Sequence, residues 1–386
     1  MKRVGIVTVH TGYNYGSSLQ AYATKCILNE AGYSSEILSL KGGLIKGRDV
    51  RLNKLAVIGA RMLCHPTQIT ARLNTYKKSS DKKMSKDCLS KFDAFSQDYI
   101  TPQYLSWNEL KKYTRQDDLI ACVCGSDQIW NAETLYVDPF YYLKFAPQSK
   151  RIAFAPSFGR EYIPEYNKGK LKKHINGIDF LSVREESGVK LIHGLTGRQA
   201  EWILDPTLIL SSEQWKKKLG VCTNEKTDIL KENYLLAYFL DDPSTNAVEF
   251  MCRLAKEKGL KIISIPYETT VNKWVNVAEA VGPKEFVELV SKAQYVCTDS
   301  FHGTVFSINF EVPFFTFERQ YGSAGKQSAR ITSILRLLHM ENRYNPEIDV
   351  SNKEIDFSRC QIILEAERKK AYLYLEKSFN IMVDGN

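Results

Sequence analysis

Along the chain, short apolar runs alternate with stretches in which apolar residues return every three to four positions. This rhythm predicts strands alternating with helices, and hence α/β layers built on parallel sheets. In the first half the strand-like runs are 3–9, 35–40, 119–124, 151–155, 180–183 and 200–204; in the second they are 234–240, 260–265, 294–298 and 313–317. Residues 17–31 read as a helix, with Leu19, Ala23, Ile27 and Leu28 on one face and Gly32 placed to end it. Residues 244–258, 283–292 and 303–310 read as helices of the second series. The polar stretch 211–233, with Lys216, Lys217 and Lys218, separates the two series. The pattern therefore predicts two Rossmann-like domains, 1–215 and 230–358, facing a cleft. A helix over 359–386 is expected to pack back across both through Ile362, Ile363, Ala366, Tyr372 and Leu375. Residues 41–118 break the rhythm and are expected to form a basic helical insertion in the first domain.

The length of 386 residues suits two domains of ordinary size. No run approaches the ~18 apolar residues of a membrane-spanning helix. The apolar part of the first nine residues is too short for a secretory signal, so a cytoplasmic protein is expected. The nine cysteines point the same way: they are scattered, odd in number and mostly set in apolar runs, as reduced buried thiols are. No Cys/His cluster has zinc spacing, so a structural metal is not expected.

Charge changes the picture at one place. The formal net charge is +9, and residues 41–90 hold twelve Lys or Arg against three Asp, so this stretch carries the whole excess. Within it Leu52, Leu55, Ile58, Met62 and Leu63 fall at helical spacing among Arg51, Lys54 and Arg61. Such a helix can lie peripherally on an anionic membrane surface at the cytoplasmic face; the alternative is an apolar stripe packed on its own domain with the basic groups in solvent. Nucleic acid is not an expected partner, because the stretch lacks interleaved stacking aromatics and no nucleic-acid motif occurs.

Candidate chemistry lies at strand ends, where doubly wound sheets bind their ligands. After the first strand, Asn14, Ser17 and Gln20 offer neutral donors and acceptors suited to hydroxyl-rich ligands, although Asn and Ser also cap helices. The glycines there, Gly12 and Gly16, do not make a dinucleotide fingerprint. After 119–124 come Ser126, Asp127 and Trp130: a hydroxyl, a carboxylate and an indole that suit a sugar, Asp127 being alternatively a cap. Arg184 follows 180–183 and can grip a carboxylate or phosphate bidentately, or pair with Glu185 or Glu186. Asp205 closes 200–204 ahead of Pro206. Last, Asp299-Ser300-Phe301-His302-Gly303-Thr304 runs from strand into helix. His302 thereby sits beside a helix start, where anions bind and a histidine can act as acid or base.

These segments in their order (Asn14 to Gln20, Gly125 to Asn131, Ser182 to Gly188, Leu204 to Thr207, Ser300 to Thr304) resemble the polysaccharide pyruvyl transferase family, over about residues 4–320. The resemblance implies a GT-B-like pair of Rossmann domains. It also implies transfer of the pyruvyl unit of phosphoenolpyruvate to two hydroxyls of one sugar, in a surface polysaccharide such as a capsule or exopolysaccharide, or in its lipid-linked precursor. The products are a cyclic ketal and phosphate, and the resemblance implies neither a metal nor another cofactor beside the donor. His302 is then the acid that protonates the enol, Arg184 a holder of the donor's anionic groups, and Gly303 and Thr304 donors toward phosphate. The base stays open among Asp127, Asp205 and Asp299. Many members carry Arg two residues before that histidine, where this chain has Ser300. Arg319, Lys326 and Arg330 are the expected substitutes. Two other readings stand beside this one: a nucleotide-sugar glycosyltransferase of the same fold, and a non-catalytic carbohydrate-binding protein that has lost part of its anion site.

Overall fold

The computed structural model describes residues 2–42, 51–64, 84–221, 233–265, 275–278, 280–319, 329–347 and 355–384. Strands β1 (Arg3–Val7), β2 (Ser34–Leu40), β3 (Gln103–Leu105), β4 (Leu119–Cys124) and β5 (Arg151–Ala153) form a parallel sheet in the order β3-β2-β1-β4-β5. A short parallel pair follows, β6 (Ser182–Val183) with β7 (Glu201–Trp202). A second parallel sheet then repeats the first order, β10-β9-β8-β11-β12, from β8 (Tyr234–Tyr238), β9 (Lys261–Ser264), β10 (Asn276–Val277), β11 (Tyr295–Thr298) and β12 (Phe314–Thr316). The chain is thus α/β with two Rossmann-like units in a GT-B-like layout. Strand order reverses between β1 and β4 in one sheet and between β8 and β11 in the other. The loops leaving these pairs diverge there and present their side chains together.

Both faces of the sheets are covered, which is why the strands read as near-continuous apolar runs. Along β8, Leu236 and Tyr238 enter one apolar core while Leu235 and Ala237 enter another. The first of these cores also takes Val4, Ile6, Ala121 and Val123 of the other sheet, so a single core joins the two units. Tyr15, at the start of the Tyr15–Glu30 helix, stacks on Phe286 of the second unit with centroids 4.9 Å apart and donates to the Val281 carbonyl at 3.0 Å. The long helix Phe357–Asp384 runs between the units: Cys360 contacts the Leu338 carbonyl, while Tyr374 Oη donates to Ala153 O of β5 at 2.7 Å.

Three departures from the sequence reading have plain causes. The stretch expected to be wholly helical also supplies β3, whose Gln103 and Tyr104 are exposed at the sheet edge and make no apolar run. Residues 211–233, read as a break, contain the helix Ser212–Leu219, opened by a Ser211/Gln214 capping box and anchored by buried Trp215 and Leu219 alone. Two cysteines, Cys64 and Cys252, are exposed, whereas Cys26, Cys88, Cys122, Cys124, Cys297 and Cys360 are buried; all eight are thiols.

Candidate active site

The loop after β4 passes so close to the next strand's exit that a Cβ on Gly125 (φ +128°) would lie 1.9 Å from the Phe154 carbonyl oxygen; only glycine fits. Ser126 and Asp127 follow, Asp127 itself at φ +64°, a conformation uncommon for a residue with a side chain. Ser17 Oγ, in the first turn of the Tyr15–Glu30 helix, donates to Asp127 Oδ2 at 2.5 Å. Arg184, leaving β6, is buried and reaches three carboxylates: Nη1 is 2.5 Å from Asp205 Oδ2, Nη2 is 3.4 Å from Asp127 Oδ1 and Nε is 4.0 Å from Glu185 Oε2. Asp205 caps the Pro206–Ile209 turn through Thr207 N (3.0 Å), and it accepts from Thr207 Oγ1 (2.7 Å) and Ser126 Oγ (2.9 Å).

The second unit delivers His302 to this cluster on the first turn of the Phe301–Asn309 helix. Its ring lies against Gly16 of the first unit, where a Cβ would stand 1.9 Å from Nδ1. The other ring nitrogen, Nε2, is buried and makes no hydrogen bond among the described residues. Beside it the Phe301 ring carries two guanidiniums, Arg184 at 4.8 Å and Arg330 at 5.6 Å from the centroid.

Burial opposes every charge in this cluster, and pairing decides which charges survive. For Asp205, burial pushes the pKa up, but Arg184, His302 and the Thr207 bonds outweigh it and hold the carboxyl at about 2. Asp127 also stays below its ordinary value, because Arg184, His302 and Ser17 together overcome its burial. Burial lowers Arg184, but Asp205, Asp127 and Glu185 more than restore it. His302 goes the other way: burial first, then Arg184 and Arg330, push it down to about 4 against the pull of Asp205 and Asp127. At neutral pH the site therefore holds an uncharged imidazole among ionised pairs.

The structure thus gathers Ser17, Ser126, Asp127, Arg184, Asp205, His302 and Arg330. Others named from the sequence make different contacts. Trp130, expected to cover a sugar face, is fully buried in the core, 5.4 Å from Tyr142 and 5.6 Å from Phe158, with its indole N–H on the Tyr141 carbonyl. Gln20 is fully buried: its amide donates to Thr8, Val9 and Ser17, and its oxygen accepts from Ser126 N, so it ties the β1 loop to the β4 loop. Asn14 caps the Tyr15–Glu30 helix. Asp299 accepts from the amides of Leu240 and Asp241 and from Arg319 Nε (3.2 Å), so this carboxylate and Arg319 hold second-unit loops to each other. Ser300 caps its helix by accepting from Gly303 N, which turns that amide inward, and Thr304 spends its hydroxyl on Ser300 O and Thr316. Lys326 lies outside the described residues.

Three residues of the site escaped the sequence reading. Gly16 signals itself only as a helix-breaking residue within a helix's first turn. Phe301 reads as ordinary core. Glu185 reads from the sequence as an ion-pair partner of Arg184, whose Nε is 4.0 Å from its Oε2, and it is fully buried as well. One oxygen accepts from Ser157 Oγ (2.9 Å) and Phe158 N (2.7 Å), while the other accepts no hydrogen bond among the described residues. Burial raises its pKa against the opposing pull of Arg184.

Among solved structures the chain is similar to Arabidopsis thaliana UGT89C1 complexed with UDP (10% identity, TM-score 0.49, 99% of each chain covered). It is also similar to the MnaA–UDP structure of S. aureus (12%, 0.46, 91% of this chain and 94% of that one). A third similar structure is UDP-N-acetylglucosamine 2-epimerase from Rickettsia bellii (12%, 0.44, 99% and 98%). No curated protein matches the chain in sequence. The family model described as polysaccharide pyruvyl transferase matches residues 14–321. That span opens at the cap of the first helix and takes in the whole charged cluster save Arg330, and by it the chain belongs to the polysaccharide pyruvyl transferase family.

Proposed function

We propose that the protein transfers the pyruvyl unit of phosphoenolpyruvate to two hydroxyls of a sugar, in a surface polysaccharide or its lipid-linked precursor, forming a cyclic ketal and releasing phosphate. The observation that carries this reading is the meeting of Arg184 and Arg330 over one Phe301 ring, next to the unbonded Nε2 of His302. The donor brings a carboxylate and a phosphate, and two guanidiniums suit two such groups. Arg330 supplies the second cation that Ser300 does not.

In this reaction His302 gives a proton to the methylene carbon of the enol, and the adjacent carbon, becoming electron-poor, takes the first sugar oxygen. Phosphate then leaves and the second oxygen closes the ring. Of the two hydroxyl protons, one is balanced by the proton gained at the methyl carbon and the other leaves on phosphate. Asp127, with 13% of its side chain exposed against none for Asp205, is the carboxylate better placed to relay a proton from the acceptor. An imidazole must be charged to donate, and the arriving negative groups of the donor raise His302 from its low value toward that state.

The test is phosphate release from phosphoenolpyruvate with galactose-, mannose- and N-acetylmannosamine-type acceptors. The expected result is acceptor-dependent release, lowered at least about a hundredfold in His302→Ala. No release with any acceptor, combined with thermal stabilisation by UDP and none by phosphoenolpyruvate, overturns the reading in favour of nucleotide-sugar transfer.

A further inference from the structure

The helix Leu52–Cys64 presents to solvent the face that a surface helix ordinarily buries. Its cations are turned toward the first unit: Arg51 pairs with Asp138 and lies 5.7 Å from the Tyr136 ring centroid. Ten residues on, Arg61 donates to Asn167 Oδ1 (2.5 Å) and the Tyr166 carbonyl (3.1 Å) and lies 5.1 Å from the Tyr166 ring. Lys54, Ile58 and Met62 share this half-buried side. The opposite side carries Leu52, Leu55, Ala56, Gly59, Ala60 and Leu63, all exposed and none charged. At about 100° per residue these six fall within less than half a turn of the helix. The leucines are 69%, 47% and 84% exposed. A continuous apolar stripe of this kind marks a surface meant to be covered.

Charge selects what covers it. The helix lies in the stretch 41–90, which holds the chain's entire excess of positive charge. A second copy would bring the same sign against it, whereas an anionic surface is drawn in. Among the described residues no helix is long and apolar enough to cross a membrane. We infer that this helix docks on an anionic lipid bilayer, with Leu52, Leu55 and Leu63 inserted at the acyl boundary and the net positive charge of the stretch 41–90 supplying the attraction to headgroups. The stripe does not pack on its own domain, contrary to the alternative sequence expectation, and Arg51 and Arg61 serve as fasteners to the protein instead of contacts to lipid.

Co-sedimentation of the full chain with phosphatidylglycerol/phosphatidylcholine vesicles, against phosphatidylcholine alone, tests the assignment. Binding is expected on the anionic vesicles only and is weakened by salt. The triple variant Leu52→Ser, Leu55→Ser, Leu63→Ser is expected to partition at least about tenfold less, with an unchanged melting temperature because the replaced side chains are solvent-facing. Equal partitioning of parent and variant, or no binding by the parent, overturns the inference. So does parental self-association in sedimentation velocity that the variant loses, which would assign the face to a second copy. The assay contains neither donor nor acceptor sugar, so its outcome stands apart from that of the phosphate-release experiment.

Discussion

Arg184 of the first unit lies 4.8 Å above the ring of Phe301, the first residue of a second-unit helix, and Arg330 shares that ring. The ring face attracts both guanidiniums, by roughly 1–2 kcal/mol each where water is excluded, and so sets the spacing of two like charges. Phe301→Leu keeps the apolar volume and removes that attraction. In the proposed reaction it is expected to raise KM for phosphoenolpyruvate about tenfold with a smaller change in kcat, read from phosphate-release kinetics. An unchanged KM would show that the ring does not organise the cations.

Gly16 fixes where the imidazole sits. A methyl group there would stand 1.9 Å from His302 Nδ1, so Gly16→Ala must displace the ring or part the helices that carry the two residues. The expected outcome is turnover lowered by about a hundredfold and a lower melting temperature. In a His302→Ala background the same glycine substitution should cost far less stability, because the atom it strikes is gone.

The pH dependence of stability follows from three histidines, His10, His174 and His302, each pushed down to about 4 mainly by burial. Unfolded, they titrate near 6.5. Between those values the unfolded chain binds protons that the native chain refuses, so stability is intact above about pH 6.5, falls as pH drops toward 4, and loses no more from this source below that. Melting temperature measured across this window should decline, and His302→Gln should make the decline shallower. A variant curve parallel to the parent's would mean that His302 is protonated without penalty in the native state.

A different joint is made by Asn309, 1% exposed, whose amide donates to Thr207 O (2.9 Å) and Leu210 O (2.7 Å) and whose oxygen accepts from Arg368 Nη2 (2.9 Å). Asn309→Leu strands these groups away from water. A loss of about 3 kcal/mol is expected, measured by denaturant unfolding. Combined with Arg368→Ala, the two losses should sum to less than their separate values, because they break one network.

Much of the layout was legible because each central strand is buried on both faces and so appears as an apolar run, and because strand ends at the order reversal are where polar side chains converge. β3 and β10 were not, since exposed edge residues such as Gln103, Tyr104 and Val277 leave no run to read. Of the candidate site, Asp127, Arg184, Asp205 and His302 are legible from their place after strands, and the structure brings them together. Trp130 and Gln20 are instead fully buried, because the course of a loop decides whether a side chain points to core or solvent, and that course is absent from local sequence. The helix Leu52–Cys64 shows the same limit: its outward face is set by Asp138, Tyr166 and Asn167, which lie roughly a hundred residues away in the chain.

The helix Phe357–Asp384 is a strut. Arg368 bonds the Leu208 carbonyl beside Asp205, at 2.8 Å, and Tyr374 bonds the edge of the first sheet, while the helix start rests on the second unit. Swinging the halves apart to admit a bulky glycan must therefore bend or unseat this member, which makes the gape of the enzyme a property of a helix that contributes no residue to the charged cluster.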